Sequence, residues 1–140
     1  MKGILLISHG PLCKGMYETT KWFMGEEIPQ YDYLCLEPED SPERYSVKLN
    51  EKISQLDSGD GVILFCDLMG GTPCNCAMMA MGEKVDVVAG MNLSMVLQQL
   101  GNRLSDIYEL FDLVQVAKDG VVYVNDLLNR KSDEDEDEDE

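Results

Sequence analysis

The sequence predicts an α/β fold: a doubly wound, mainly parallel sheet with helices on both faces and with the first and third strands adjacent. Two apolar runs, Ile4 to Ile7 and Gly61 to Cys66, have the continuity of strands that are buried on both faces. Segments with helical periodicity alternate with the strands along the chain. Such alternation is most simply accommodated by a parallel sheet, which is why we expect this fold class.

The first half of the chain supplies three strands and two helices. Gly25 is typical of a helix end, and Ser41 followed by Pro42 is typical of a helix start. The second helix carries one apolar face, made of Tyr45, Leu49, Ile53 and Leu56. In chain order, the predicted elements are a strand that ends next to His9, a helix from Lys14 to Met24, a strand from Tyr31 to Leu36, the helix opened by Ser41, and a strand from Gly61 to Cys66.

The second half continues the alternation. Asn92 is a helix N-cap type of residue, and Asp119 with Gly120 is typical of a helix end. The methionines that follow Pro73, including Met78, Met79 and Met81, are interpreted as packing residues. The predicted elements are a helix from Pro73 to Met81, a strand from Lys84 to Ala89, a helix from Leu93 to Leu100, a helix with the apolar stripe Ile107, Leu110, Phe111 and Val114, and a short strand from Val121 to Val124.

His9 is the only histidine, and it lies at the carboxyl end of the first strand. In an open α/β sheet, ligands bind at that edge, at the point where the strand order reverses. Asp67 follows the third strand in the same way, so the two side chains face each other if the first and third strands are neighbours. A carboxylate on one ring nitrogen fixes the tautomer and leaves the other nitrogen as a nucleophile. The alternative is a solitary histidine with a purely structural hydrogen bond.

The loop after Asp67 has the composition of an anion site. Gly70 and Gly71 permit a tight turn, and Thr72 followed by Pro73 predicts a helix that begins with Thr72 as its N-cap. Free amides at a helix start bind anions. The same residues also occur in ordinary strand-to-helix turns, and the segment lacks the Gly-Lys-Ser/Thr of a P-loop.

Three segments together resemble the mannose-family IIA component (EIIA) of the bacterial phosphoenolpyruvate-dependent sugar phosphotransferase system. They are Ile7-Ser8-His9-Gly10, Asp67-Leu68-Met69-Gly70-Gly71-Thr72-Pro73-Cys74-Asn75 and Ala89-Gly90-Met91-Asn92-Leu93-Ser94-Met95. The resemblance implies that His9 accepts a phosphoryl group from the carrier protein HPr and passes it to a IIB component. It implies that Asp67 orients the imidazole and that Gly71 and Thr72 bind the phosphate. It also implies a homodimer in which the last strand runs antiparallel and is exchanged between subunits.

Composition limits the classes of partner. The formal net charge is −16, and eight of the acids lie in residues 133–140, which leaves about −8 on the rest. So acidic a surface argues against nucleic acid and anionic membrane as partners and suits a basic protein. Apolar runs are too short for a signal peptide or a membrane span, so we expect a cytoplasmic protein that meets the membrane only through the IIC/IID transporter.

The five cysteines form no Cys-x-x-Cys pair, which favours reduced thiols. Cys74 and Cys76 could suggest a metal site, but a structural role is the better interpretation, and we expect no metal and no cofactor. Residues 1–130 are expected to form the carrier domain and residues 131–140 a disordered acidic tail. Since no IIB-like segment follows, we expect the acceptor on a separate chain.

Two other functions fit the same residues. One is the phosphotransferase subunit of a dihydroxyacetone kinase, which shares the fold and a histidine in the same place. The other is a regulatory module that binds a small anion and has no nucleophile. The sequence leaves the transported sugar open among mannose, fructose, sorbose and amino sugars. It also leaves open whether Asn92 caps a helix or lines the pocket.

Overall fold

The computed structural model describes residues 1–138 and contains four strands and six α-helices in that range. The strands are β1 (Gly3–His9), β2 (Tyr31–Leu36), β3 (Val62–Cys66) and β4 (Val85–Ala89). The helices are α1 (Leu12–Met24), α2 (Pro42–Leu56), α3 (Gly71–Ala80), α4 (Leu93–Asn102), α5 (Leu110–Asp119) and α6 (Val124–Glu138), with a 3₁₀ turn over Arg103–Ser105 after α4.

The four strands form one parallel sheet in the order β2-β1-β3-β4. The predicted fold class is therefore confirmed, including the adjacency of the first and third strands. Ile7 lies opposite Cys66 in the register of β1 and β3, so the two strands end side by side. The connections diverge here, with β2 on one side of β1 and β3 on the other, which makes this edge the switch point of the sheet.

Helices bury both faces of the sheet. On one face, Leu6 and Phe65 pack with buried residues of α1, α4 and α5, among them Cys13. On the other face, Leu5 and Leu64 pack with buried residues of α2 and α3. Because successive strand residues point to opposite faces, burial on both sides explains why β1 and β3 are apolar without alternation.

Two predicted helix starts are confirmed by their caps. The Arg44 amide donates to Ser41 Oγ at 3.1 Å, and Pro42 occupies the first turn of α2. The Met95 amide donates to Asn92 Oδ1 at 2.9 Å at the start of α4. Each side chain satisfies an amide that has no partner within its helix.

A buried arginine joins the turn after α4 to the amino-terminal end of the sheet. Arg103 is 3% exposed, and its Nη1 donates to the carbonyls of Lys2 and Gln30, each at 3.0 Å. Its Nη2 donates to the Pro29 carbonyl. The guanidinium thus satisfies backbone acceptors that lie on two other segments of the chain.

Two predictions about packing are wrong in part. Met79 is 82% exposed and Met78 and Met81 are also exposed, because α3 packs through Pro73, Cys74, Cys76 and Ala77 and turns its methionines outward. The buried face of the helix before Asp119 also differs from the predicted apolar stripe. Helix α5 begins only at Leu110, and Phe111 is 97% exposed while Leu113 and Ala117 form the buried face.

The end of the chain differs most from prediction. Residues 121–123 form no strand, and Val124 begins α6. The Val121 amide donates to the Lys118 carbonyl at 3.1 Å, so the chain continues the turn that ends α5. Among the described residues, this segment pairs with none of the four strands. Exchange of this segment between subunits stays a prediction.

The acidic tail, expected to be disordered, continues α6 as far as Glu138, and residues 139 and 140 lie outside the described residues. The segment contains no proline or glycine to end a helix, and Arg130 pairs with Asp126 one turn earlier at 3.1 Å. Within the described range, no helix is both long and apolar enough to cross a bilayer.

Candidate functional site

His9 and Asp67 are neighbours at the carboxyl edge of the sheet. The Asp67 amide donates to the Ile7 carbonyl at 3.2 Å, which extends the pairing of β1 and β3 by one residue. Nδ1 of His9 lies 2.8 Å from Oδ2 of Asp67. The expected juxtaposition of these two residues, 58 positions apart in sequence, is thus present in the structure.

The Asp67 carboxylate is held by three donors. Its Oδ2 also accepts from the His9 amide at 3.0 Å, and its Oδ1 accepts from the Leu68 amide at 2.9 Å. Burial alone would raise the pKa of Asp67, but these hydrogen bonds outweigh it, with a smaller contribution from the charge of the His9 ring when that ring is protonated, so the pKa is lowered. Asp67 is therefore ionised near neutral pH and acts only as an acceptor.

An acceptor at Nδ1 decides the tautomer of His9. Because the carboxylate cannot donate, Nδ1 carries the proton of the neutral ring and Nε2 carries its lone pair. The His9 side chain is 44% exposed, whereas that of Asp67 is 7% exposed. The arrangement is a nucleophilic nitrogen at the surface with its orienting group beneath it.

Gly71 packs directly against the free nitrogen. A Cβ built on Gly71 would lie 2.6 Å from Nε2 and 2.7 Å from Cε1 of His9, and the residue has φ of +78°. Any side chain at this position would therefore collide with the ring. Glycine at this position thus lets the backbone at the start of α3 approach the His9 ring closely.

Helix α3 presents its amino terminus at this edge. Gly70 is the N-cap, with φ of +93° and no side-chain cap, so the predicted start at Pro73 with Thr72 as N-cap is wrong by two residues. Gly70 adopts backbone angles open to glycine, which allows the helix to begin earlier. Thr72, half-buried, lies in the first turn next to Gly71. Amides of a first turn have no acceptor within the helix and, with the helix dipole, attract an anion.

Ser8 is a residue that the sequence analysis missed. It is fully buried, and its Oγ accepts from the Cys13 amide at 2.8 Å and donates to the Gly10 carbonyl at 3.1 Å. The Gly10 amide in turn donates to the Leu36 carbonyl at 3.0 Å. Ser8 thus holds the loop that carries His9 and the start of α1. Its position as a serine inside an otherwise apolar strand is the feature of the sequence that could have identified it.

No group of three or more His, Cys, Asp or Glu side chains that could hold a metal ion is found in the described part of the chain. Cys74 and Cys76 are buried in α3, and Cys76 Sγ lies 3.5 Å from the Pro42 carbonyl. These two cysteines therefore contribute to the packing between α2 and α3.

A family model described as "PTS system fructose IIA component", where PTS stands for phosphotransferase system, matches residues 3–115. The chain belongs to this IIA family. The matched range includes His9, Asp67 and Gly71, so the resemblance inferred from the three sequence segments is confirmed at the level of the family.

Curated relatives of this IIA-family chain are longer proteins. The "PTS system mannose-specific EIIAB component" of Escherichia coli K12 is 28% identical over 123 residues, and the same description applies to a relative from Shigella flexneri with the same identity. The alignment covers 84% of this chain and 38% of each relative. This chain thus spans about two fifths of the curated relatives that it matches.

Solved structures of similar proteins extend the match to the whole fold. A PTS IIA protein associated with the fucose utilization operon of Streptococcus pneumoniae has a TM-score of 0.84 and 29% identity, over 91% of this chain and 96% of that one. The mannose/sorbose specific IIA subunit from Enterococcus faecalis has a TM-score of 0.74 and 29% identity, over 87% and 94%. The IIA-family chain shares its architecture with proteins of similar size.

Proposed function

We propose that this chain is a phosphoryl carrier of a sugar phosphotransferase system, which takes a phosphoryl group from phospho-HPr onto His9 and passes it to a IIB component. The observation that supports this most directly is the 2.8 Å contact between Nδ1 of His9 and Asp67, because it leaves Nε2 as an exposed nucleophile. Membership of the IIA family supports the same reaction class.

The proposed step is an in-line transfer between two nitrogens. The Nε2 lone pair of His9 forms a bond to phosphorus while the phosphorus–nitrogen bond of the donor breaks. The electron pair of the broken bond stays on the donor nitrogen. The His9 ring gains positive character, which the ionised carboxylate of Asp67 offsets through Nδ1. The proton on Nδ1 stays in place, so the reaction needs no cofactor and no metal.

The amino terminus of α3 is the proposed phosphate cradle. Gly71 contacts the ring beside Nε2, so a phosphoryl group on that nitrogen would lie next to the first-turn amides of Gly71 and Thr72. These amides and the helix dipole would offset the charge on the phosphoryl oxygens.

The surface near His9 suits protein partners. Leu12, Leu68 and Met69 follow the two strand ends and are 56%, 51% and 75% exposed. An apolar surface within a chain of net charge −16 fits a partner with an apolar centre and a basic rim, which we take to be HPr and, in turn, a IIB component on a separate chain. In this proposal the chain works in the cytoplasm and contacts the membrane only through the IIC/IID transporter of a mannose, fructose or sorbose system.

The proposed assembly is a homodimer with exchanged ends. Strand β4 lies at the edge of the sheet, and a groove of about 480 Å³ beside it is lined by β4 and by Leu110, Phe111 and Val114. Val121, Val122 and Tyr123 are apolar and 77%, 52% and 74% exposed. This segment of a second copy could pair antiparallel with β4 and cover the groove. A single-subunit mass in analytical ultracentrifugation would contradict the dimer.

The carrier function can be tested by following phosphoryl uptake. The protein is incubated with phosphoenolpyruvate, enzyme I and HPr, and its intact mass is measured before and after mild acid. The wild type should gain one acid-labile phosphoryl group, and His9→Ala should gain none. Asp67→Ala should take up the group about 100-fold more slowly, because it lacks the carboxylate that offsets the charge developing on the ring.

The alternatives give different results in the same assay. A regulatory module that only binds anions would take up no phosphoryl group in the wild type. A dihydroxyacetone kinase subunit would take it up but would not pass it to a IIB component. Transfer from the phosphorylated chain to IIB is therefore the second measurement.

A further inference from the structure

Cys13 and Cys35 form a close pair of thiols beside the loop that carries His9. Their Sγ atoms are 3.6 Å apart, although the residues are 22 positions apart in sequence. Cys13 lies in the first turn of α1 and is fully buried, while Cys35 lies on the edge strand β2 and is half-buried. A disulfide needs about 2.05 Å between the sulfurs, so they would have to approach by about 1.5 Å.

The geometry points to a reversible disulfide between Cys13 and Cys35, formed by exchange with a small anionic disulfide of the glutathione type. The proposal does not depend on the phosphoryl-carrier function. It assigns a covalent modification site to two residues outside the His9 and Asp67 pair.

The groove around Cys35 explains the choice of oxidant. It has a volume of about 370 Å³, and its lining includes three lysines and two carboxylates, namely Lys14, Lys48, Lys52, Asp32 and Glu37. Lys52 pairs with Asp32 at 2.6 Å and Lys48 pairs with Asp40 at 2.8 Å. Three lysines against two carboxylates give the lining a formal charge of +1, part of which the ion pairs screen. In a chain of net charge −16, this groove therefore repels a disulfide that carries carboxylates less than the rest of the surface does.

The order of the two exchange steps follows from burial. The Cys35 thiolate, which solvent reaches, attacks one sulfur of the small disulfide, forms a mixed disulfide and releases one small thiol. The Cys13 thiolate then attacks the Cys35 sulfur and releases the second small thiol. The two cysteine sulfurs lose two electrons to the small disulfide, and their two protons end on the two released thiols. Burial raises the pKa of the Cys13 thiol to about 12, so the second step is the slower one.

The bridge would act on the loop through Ser8. The Cys13 amide donates to Ser8 Oγ, and Ser8 lies opposite Cys35 in the register of β1 and β2. A covalent link between α1 and β2 would therefore fix the first turn of α1 on the strand that supports it. Hydrogen exchange of the amides in that turn should slow in the oxidised protein.

The test is the loss of free thiols when the folded chain of 140 residues is incubated with oxidised glutathione. The wild type should end two hydrogens lighter, with no glutathione retained, and trypsin should yield residues 3–14 joined to residues 22–44. Cys13→Ala should stop with one glutathione on Cys35, and Cys35→Ala should react about tenfold or more slowly, because Cys13 is buried. The control Cys76→Ala should behave as the wild type, and dithiothreitol should restore the starting mass.

Several results would overturn the proposal. They are a stable glutathione adduct on wild-type Cys35, a bridge between another pair, no reaction, or unchanged kinetics in Cys35→Ala. Comparison with cystamine, a cationic disulfide, tests the role of the groove. Because the two disulfides also differ in intrinsic reactivity, the quantity measured is the ratio of their rates. Lys14→Gln should lower the rate with oxidised glutathione relative to the rate with cystamine, and an unchanged ratio contradicts the role of the groove.

Discussion

Replacing Gly71 with alanine should displace the His9 ring and slow phosphoryl uptake strongly, while it lowers the stability of the fold only a little. The added Cβ would lie 2.6 Å from Nε2, whereas ordinary contacts begin at 3.4 Å, so the ring has to move by about 0.8 Å. Because Nδ1 of the same ring lies 2.8 Å from Oδ2 of Asp67, the displaced ring cannot keep both that contact and the present position of Nε2 beside the first turn of α3.

The expected loss of function is much larger than the loss of stability. A misplacement of about 1 Å in a reacting group can cost about 100-fold in rate, so we expect phosphoryl uptake from phospho-HPr by Gly71→Ala to fall by about that factor. The positive φ adds a backbone cost of about 1–2 kcal/mol, measurable by urea denaturation.

Gly25→Ala is the matched control for this prediction. Gly25, which follows the last residue of α1, also has a positive φ, +96°, but a Cβ there would meet nothing within 4 Å. The two variants should lose similar stability, and only Gly71→Ala should lose most of its rate of uptake. Equal rates in the two variants would refute the claim that the Gly71 contact positions His9.

Three further predictions concern stability and pH. The pKa of Asp67 is held below the ordinary 3.8, so its ionised form stabilises the fold above that pH. Asp67→Asn should therefore be less stable than the wild type at pH 7. This difference in stability should disappear as the pH falls below 3.8 and through the lowered pKa. Arg103→Met leaves three carbonyls without their donor and should cost about 3 kcal/mol in urea denaturation, whereas the exposed Arg130→Met should cost under about 0.5 kcal/mol. Asn92→Ala removes the cap of α4 and should cost about 1–2 kcal/mol without altering phosphoryl uptake.

Each of these three predictions would be contradicted by a specific result. A pH-independent difference for Asp67→Asn would show that its hydrogen bonds do not favour the ionised form. Equal losses of unfolding free energy in Arg103→Met and Arg130→Met would show that the buried guanidinium stabilises the fold no more than the exposed one. Slower uptake in Asn92→Ala would make Asn92 a pocket residue as well as a cap.

The position of the site could be predicted because strand ends are visible in sequence. Apolar runs locate the ends of β1 and β3, and in a parallel sheet those ends lie at one edge, which brings His9 to Asp67. The close approach of Gly71 to Nε2 could not be predicted, because it depends on the angle at which α3 leaves the sheet. Ser8 escaped notice for a related reason: its two hydrogen bonds are made within the folded loop.

The errors arise where one sequence pattern has two physical explanations. Thr72 before Pro73 matches an N-cap, yet the positive φ of Gly70 starts α3 two residues earlier. Methionines on a short helix suggest packing, but small residues such as Ala77 fill the buried side and leave Met79 outside. The apolar segment over residues 121–124 has the composition of a strand, but a strand needs a neighbour, which the single chain does not place there.

In the proposed function, Nε2 of His9 is the nitrogen that carries the phosphoryl group. The direct measurement is NMR of the phosphorylated protein labelled with ¹⁵N in histidine, which distinguishes the two ring nitrogens by their coupling to phosphorus. We expect the phosphoryl group on Nε2, with Nδ1 still protonated and donating to Asp67. A phosphoryl group on Nδ1, or a His9 ring that takes up none, would contradict it.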